Sequence, residues 1–283
     1  PFVVWHEYDI VHCSEPAVCH FLFHAKRRFK FRYKVLFTDG LGLHPALGRY
    51  FPERWEHLQT ITLPHYHRLI QAGVKPAKMS FLPYGVDSNR YQVRMDKKKL
   101  RDQYGIPEEK IVILSVAALN RRHKRIDYLI REVHRLGKDY FLLIVGQPEE
   151  PDLVRLGRES LDRNFKSLYV PFDQMAEIYH LADLFVFPCL IGEFGLALAE
   201  AMCAGLPVIA HRHFQWIVGE PRCLAELAQE GNLAKKIDEV GENLDAFRAI
   251  AERNRARTVE RFDWSHLKEG YLRMYERVFL NAS

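Results

Sequence analysis

The chain has 283 residues, 48% of them hydrophobic and 27% charged, with a formal net charge of +5. That length favours two domains over one, and no stretch approaches the roughly 18 apolar residues that a membrane-spanning helix needs. The mildly basic balance suits anionic ligands or an anionic surface and does not by itself indicate nucleic acid. The cysteines, Cys13, Cys19, Cys189, Cys203 and Cys223, form no C-x-x-C pair. They read as reduced thiols of a cytosolic protein rather than a disulfide framework.

In chain order, Asp9–His12 reads as the end of a strand and Glu15–Arg28 as a helix, with Ser14 as N-cap and Pro16 in the first turn. Tyr33–Phe37 is the next strand, ending at Thr38-Asp39-Gly40, and Ile61–Leu63 a candidate third. So few strands do not make a doubly wound sheet. The expectation is a chain that begins within a domain, because upstream residues are missing or because that half is reduced. Phe81–Asp87, with Pro83 and Gly85, reads as a crossing between domains.

Beyond it, strands and helices alternate. Ile111–Ala117, Tyr140–Val145, Leu168–Val170 and Leu184–Phe187 are strands, and Ile126–Leu136, Asp152–Asn164 and Gln174–Leu181 are helices. The continuous apolar strands predict a parallel sheet covered on both faces, with ligands at its carboxyl edge. After Pro188 and a loop holding Gly192 and Gly195 comes an apolar helix, Leu196–Ala204, whose one charge is Glu200. Gly205 sits at its C-cap, and Pro207–Ala210 starts another strand. A helix amino-terminus behind glycines at that edge favours phosphate. The tail from about Ala246 to Phe279 is helical, broken near Asp263, which would cap a last helix, Ser265–Phe279.

Several groups bear charges suited to chemistry. Arg121, Arg122, Lys124 and Arg125 follow directly on the first strand of the second domain. They form either a diphosphate site or a solvated charge run, and their position favours the first. Gly146 permits close backbone approach at a strand end, as would an ordinary turn. Glu200 in an apolar helix requires a hydrogen-bond partner, a ligand diol or a structural one. Asp39 either caps the turn before Gly40 or places a carboxylate at the end of a strand where it can face a ligand, with His12 and Glu15 as further candidates for the same cleft. Lys26, Arg27, Arg28, Lys30, Arg32 and Lys34 interleave with Phe29, Phe31 and Tyr33. This segment is a solvated helix end, or a contact to anionic lipid or a phosphorylated acceptor. No metal site is expected: His65-x-His67 and His211-x-His213 are i,i+2 pairs that share no helix face.

The stretch Glu193-Phe194-Gly195-Leu196, then Glu200-Ala201-Met202, then Gly205-Leu206-Pro207-Val208-Ile209-Ala210 resembles the donor-site signature of retaining glycosyltransferases of the GT-B fold, in the large family-four group. The resemblance implies two Rossmann-like domains: an incomplete acceptor-side domain at 1–86, a nucleotide-sugar domain at 87–262, and a last helix at 263–283 that crosses back to the first. It implies that Glu193 contacts the donor sugar, that backbone beside Phe194, Gly195 and Leu196 holds the diphosphate, and that Glu200 bonds the ribose. Lys124–Ile130 resembles the family's Lys-Gly-Val-Asp-x-Leu-Ile segment, whose lysine binds donor phosphate. The family's companion arginine falls on Ala118, with Arg121 or Arg122 as its substitute and Arg122 preferred; Asp39 falls where family members often place a His or Asp near the reacting sugar. Phe172 resembles the contact to the base, and Phe81–Asp87 the interdomain linker, with Tyr84 in place of Asn. One departure is the spacing: six residues separate Glu193 from Glu200, where the family has seven. The expected activity is a metal-independent retaining transfer, cytosolic or membrane-peripheral, from a UDP- or GDP-sugar to a hydroxyl acceptor, without further cofactor or nucleic acid. A nucleotide-sugar epimerase of the same fold and a non-catalytic nucleotide-binding module stand as alternatives.

Overall fold

A computed structural model describes residues 8–40, 55–91, 96–192 and 194–280. The chain divides into two compact units. One comprises 1–85, 192–194 and 264–283, and the other 86–191 and 195–263.

In the first unit, β1 (Ile10–Cys13), α1 (Pro16–Phe29), β2 (Lys34–Asp39), β3 (His57–Thr60), α2 (Leu63–Gln71) and β4 (Met79–Phe81) form a sheet in the order β1-β2-β3-β4. Every pairing is parallel. β2 shows why two helical layers are needed. Val35 and Phe37 join Cys19 and Leu22 of α1 and Leu69 of α2 in one core. Leu36, pointing the other way, packs with Met274 and Val278 of the last helix, Trp264–Leu280.

The strand expected at Ile61–Leu63 lies earlier, at His57–Thr60. Thr62 instead caps α2, its side chain accepting from the His65 amide. The offset has a physical cause. β3 is buried yet polar, and its side chains are satisfied internally: His57 meets Ser80 Oγ at 2.8 Å, and Gln59 Nε2 donates to the Leu82 carbonyl at 2.9 Å. No apolar period marks such a strand. Glu15 rather than Ser14 occupies the N-cap of α1, without a side-chain capping bond.

The second unit runs α3 (Lys97–Tyr104), β5 (Ile111–Val116), α4 (Ile126–His134), β6 (Tyr140–Val145), α5 (Asp152–Leu161), β7 (Phe165–Leu168), α6 (Met175–Leu181), β8 (Leu184–Phe187), α7 (Leu196–Cys203), β9 (Val208–His211), α8 (Gln215–Val218), β10 (Leu224–Ala225), α9 (Asn232–Glu242) and α10 (Leu244–Phe262). The chain then enters α11 (Trp264–Leu280) of the first unit. The sheet order is β10-β9-β8-β5-β6-β7, parallel throughout. β6 and β8 are buried along their whole length, which is what continuous apolar strands covered on both faces require. Phe165–Leu168, rather than Leu168–Val170, pairs with β6. α7 ends as a glycine C-cap should: Gly205 has φ +76°, and the Leu206 amide donates back to the Ala201 carbonyl at 3.0 Å. All five cysteines are free thiols, and four are buried. Among the described residues, no helix is long and apolar enough to cross a membrane.

Candidate functional site

The carboxyl edge of the second unit's sheet carries, among others, the loops after β5, β6 and β8. Asn120 shapes the first. Its Oδ1 accepts from the His123 and Lys124 amides, each at 3.0 Å, and its Nδ2 donates to Glu149 at 2.8 Å. This anchoring sorts the basic residues. Arg121 is tied to Glu150 and Asp152. Arg125 donates to the Pro188 carbonyl at 3.1 Å and the Leu227 carbonyl at 2.9 Å, with its guanidinium 3.9 Å from the Tyr128 ring centroid. It thereby fastens the loop after β8 to the start of α4. Arg125 does so at φ +49°, a left-handed conformation that costs a residue with a Cβ about 1 kcal/mol or more. Two cations are left. Arg122 is exposed and makes no hydrogen bond or ion pair among the described residues. Lys124 is half-buried, its ammonium 5.9 Å from the Phe187 ring at the end of β8. Its charge also opposes the burial that pushes the nearby Cys189 thiol up.

Two glycines let backbone close on this edge. A Cβ on Gly146 would lie 2.0 Å from the Ala117 carbonyl oxygen, inside any allowed contact. A Cβ on Gly195 would lie 3.2 Å from both Phe187 and Leu198. Gly195 is the N-cap of α7 and supplies no side-chain acceptor to the first-turn amides. Those amides carry the positive end of the helix dipole. Leu196, the first helical residue, is 42% exposed. Phe194 packs edge-to-face on Tyr84 within the first unit, ring centroids 5.8 Å apart. Glu193 lies outside the described residues.

One turn further along α7, Glu200 is half-buried. Its Oε2 accepts from the Tyr179 hydroxyl at 2.8 Å, and the Tyr91 ring packs edge-to-face on that of Tyr179, centroids 5.5 Å apart. Burial pushes the Glu200 carboxyl above its ordinary value, against the pull of the Tyr179 and Tyr91 hydroxyls and of the Arg90 charge. Phe172 is 64% exposed, its ring 4.1 Å beneath the Arg90 guanidinium, which also donates to the Phe172 carbonyl at 3.2 Å. The structure therefore collects Arg122, Lys124, Gly146, Gly195, Leu196, Phe172 and Glu200 in one unit. It adds Arg90, Tyr91 and Tyr179, for which the sequence offers no signal: Tyr179 stands 21 residues before its partner. His211 ends β9 and is engaged locally, its Nδ1 accepting from the Leu227 amide at 3.2 Å.

Asp39, in the first unit, is 1% exposed and lies 2.6 Å from His65 Nε2. Arg68 Nη2 lies 3.0 Å from His65 Nδ1. A guanidinium only donates, so Nδ1 accepts and the imidazole is neutral, with its Nε2–H donated to Asp39. His65 thus belongs with Asp39 rather than with His67. His12 is held by Tyr275, at 2.7 Å, and by Thr38. No group of three or more metal-ligating side chains occurs among the described residues.

Residues 96–256, more than half of the chain, match the family described as Glycosyl transferases group 1. The chain belongs to that family, and its fold is GT-B. It is 26% identical over 290 residues to the N-acetyl-alpha-D-glucosaminyl L-malate synthase of Bacillus anthracis, covering 96% of this chain and 74% of that protein. It is 28% identical over 192 residues to the D-inositol 3-phosphate glycosyltransferase of Mycolicibacterium smegmatis, covering 63% of this chain and 43% of that one. Other curated relatives are spanned to about half their length, such as the MMP alpha-(1->4)-mannosyltransferase of Mycolicibacterium hassiacum at 52%. Among solved structures, the Rickettsia africae glycosyltransferase aligns with a TM-score of 0.82 at 18% identity, over 99% of this chain and 79% of that one. Anabaena HepE in complex with UDP aligns with a TM-score of 0.81 at 21% identity, over 96% and 80%.

Proposed function

We propose that this chain carries the donor site of a retaining glycosyltransferase that moves a sugar from a nucleotide diphosphate sugar to a hydroxyl acceptor. The observation that carries this reading is the convergence, at one sheet edge, of an uncapped helix amino-terminus, two uncommitted cations and a half-buried carboxylate on the same helix. Breaking the anomeric C–O bond leaves negative charge on the diphosphate and positive charge on the sugar. Arg122, Lys124 and the first amides of α7 supply the compensating positive charge, so that no metal ion is required for it. Glu200 accepts from the ribose hydroxyls. Phe172, with Arg90 stacked on it, offers a shelf for the base. Glu193 is assigned to the sugar ring. Asp39, buried against His65, is assigned a supporting role in the first unit rather than contact with the reacting atoms.

The names of the relatives agree on sugar transfer and differ in acceptor, so the proposal concerns the donor half of the reaction. UDP-sugars are the first donors to test, since HepE was solved with UDP-glucose; GDP-sugars follow. Calorimetry with each should show binding that Glu200→Ala weakens severalfold. NMR of the product should show the donor's anomeric configuration kept. Unchanged affinity in Glu200→Ala would remove the ribose assignment, and an inverted product the retaining one. An epimer formed from donor alone would favour the epimerase reading. Binding with neither transfer nor hydrolysis would favour the non-catalytic module.

A further inference from the structure

The carboxylate of Glu200 is not alone in its half-buried position. A phenol reaches it from the protein side, with a second tyrosine ring packed against it. Tyr179, on α6, is fully buried, and Tyr91, in the 3-10 turn Ser88–Tyr91, is 2% exposed. Their rings meet edge-to-face with centroids 5.5 Å apart, so each restricts the rotation of the other. The Tyr179 hydroxyl has two acceptors within reach, Glu200 Oε2 at 2.8 Å and the Ala197 carbonyl at 3.3 Å. It has one proton, and the shorter contact to a charged acceptor takes it. An ionised carboxylate offers about four acceptor positions. The Tyr179 phenol occupies one of them, so the rest include at least two on the half of the group that stays accessible. A vicinal diol presents two hydroxyl donors, which that remainder can accept.

We propose that Tyr179 is a positioning residue for the donor's ribose: by donating to Glu200 from the buried side, with its ring held by Tyr91, it aims the free acceptor positions of the carboxylate at the 2′- and 3′-hydroxyls. The inference rests on the reading that Glu200 binds the ribose. The charged and titratable groups around the carboxylate are Arg90, Cys203 and the two phenols. Burial, then the charge of Glu200, raises both phenols, so they remain protonated donors at neutral pH. Removing one donor destabilises the ionised carboxylate, and the carboxyl moves further up. Ribose recognition, which needs the ionised acceptor, is then lost at higher pH as the solution is acidified.

The experiment is calorimetric titration of UDP, GDP and their 2′,3′-dideoxy counterparts across about pH 5 to 8. The proteins are wild type, Tyr179→Phe, Tyr91→Ala and Glu200→Gln. Wild type should favour the ribonucleotide about tenfold, the worth of one or two hydrogen bonds. Tyr179→Phe should shrink that preference severalfold and move the acidic midpoint of ribonucleotide affinity upward, leaving dideoxynucleotide binding unmoved; Tyr91→Ala, which frees the Tyr179 ring to turn, should act in the same direction. If Tyr179→Phe does not fold, Tyr91→Ala decides the matter by the same readout. A wild-type preference retained in Glu200→Gln would overturn the ribose reading and this inference with it. A preference lost in Glu200→Gln but intact, with an unmoved midpoint, in the tyrosine variants would overturn only the role of the tyrosines.

Discussion

The two edges of the second unit's sheet both carry clustered charges and treat them differently. At the amino edge, Asp183 precedes β8 and accepts from the Val112 amide at 2.8 Å, while Arg101 and Lys97 pair with its two oxygens. The Arg101 guanidinium, 6% exposed, also donates to the Leu181 carbonyl at 3.0 Å and the Glu108 carbonyl at 2.8 Å. Both cations there have protein acceptors, and the cluster fastens α3 to the starts of β5 and β8. At the carboxyl edge, Arg122 has no partner among the described residues, and Lys124 lies over an aromatic ring. The glycines there admit backbone rather than side chains. A charge satisfied within the chain marks structure; a charge left open where amides converge marks a ligand. The edges should therefore respond oppositely to substitution.

The largest effect belongs to the amino edge. Asp183→Ala strands the Arg101 guanidinium in the interior and should cost about 3–5 kcal/mol of stability, read as a fall in denaturant midpoint. Burial by itself would raise the Asp183 carboxyl, but Lys97, the Val112 amide and Arg101 outweigh it and hold the group below the usual carboxylate value. A folded value below the unfolded one means the stabilisation is present above about pH 4 and lost as pH falls through the lowered value. Wild type should lose stability in that window, and Asp183→Asn should lose less there because it has already lost it at neutral pH. An Asp183→Ala protein as stable as wild type would break the distinction between the edges.

Gly146→Ala comes next and tests whether the carboxyl edge is shaped by backbone contact. Its Cβ would meet the Ala117 carbonyl at 2.0 Å, so β6 and the loop after β5 must part. A cost of about 1–3 kcal/mol is expected, with nucleotide affinity falling alongside, since the displaced loop carries Lys124. Stability lost with affinity intact would separate the turn from the site.

How much of this was legible beforehand differs between the edges and between the units. The carboxyl edge was readable because its determinants are local: a basic run after an apolar strand, glycines before a helix, one glutamate in an apolar helix. Tyr91 and Tyr179 were not, because side chains from two other segments converge on Glu200 only after the sheet forms. In the first unit, the sequence pattern points to a strand at Ile61–Leu63 rather than to β3 at His57–Thr60, because His57, Gln59 and Thr60 are buried polar residues with partners that include β4 and α11. The Asp39–His65 pair was hidden likewise, spanning 26 residues. Polar burial breaks the alternation from which strands are read, whereas β6 and β8 are apolar throughout and their bounds coincide with the expected ones.

Lys124→Ala supplies the converse of the first test. Removing a half-buried ammonium with no acid partner should leave stability within about 0.5 kcal/mol. It should weaken nucleoside diphosphate binding about tenfold or more, with a smaller loss for the nucleoside lacking phosphates. Calorimetry on the two ligands checks both. Equal losses for nucleoside and diphosphate would move Lys124 away from the phosphates.

The finest test lies between neighbours. Arg121 and Arg122 share charge, exposure and loop, and differ in partners: Arg121 is paired with Glu150 and Asp152, whereas Arg122 stands open. Exposed ion pairs contribute little to stability, so Arg121→Ala should leave Tm unmoved. Its effect on diphosphate affinity should be slight, because its guanidinium is already bound to two carboxylates. Arg122→Ala should also leave Tm unmoved while weakening diphosphate binding severalfold, and raising the salt concentration should erase part of that difference through screening. The reverse ranking, with Arg121→Ala the more damaging, would show that the acidic pair releases Arg121 when the ligand arrives. Partnership in the unliganded chain would then cease to distinguish a structural cation from a binding one.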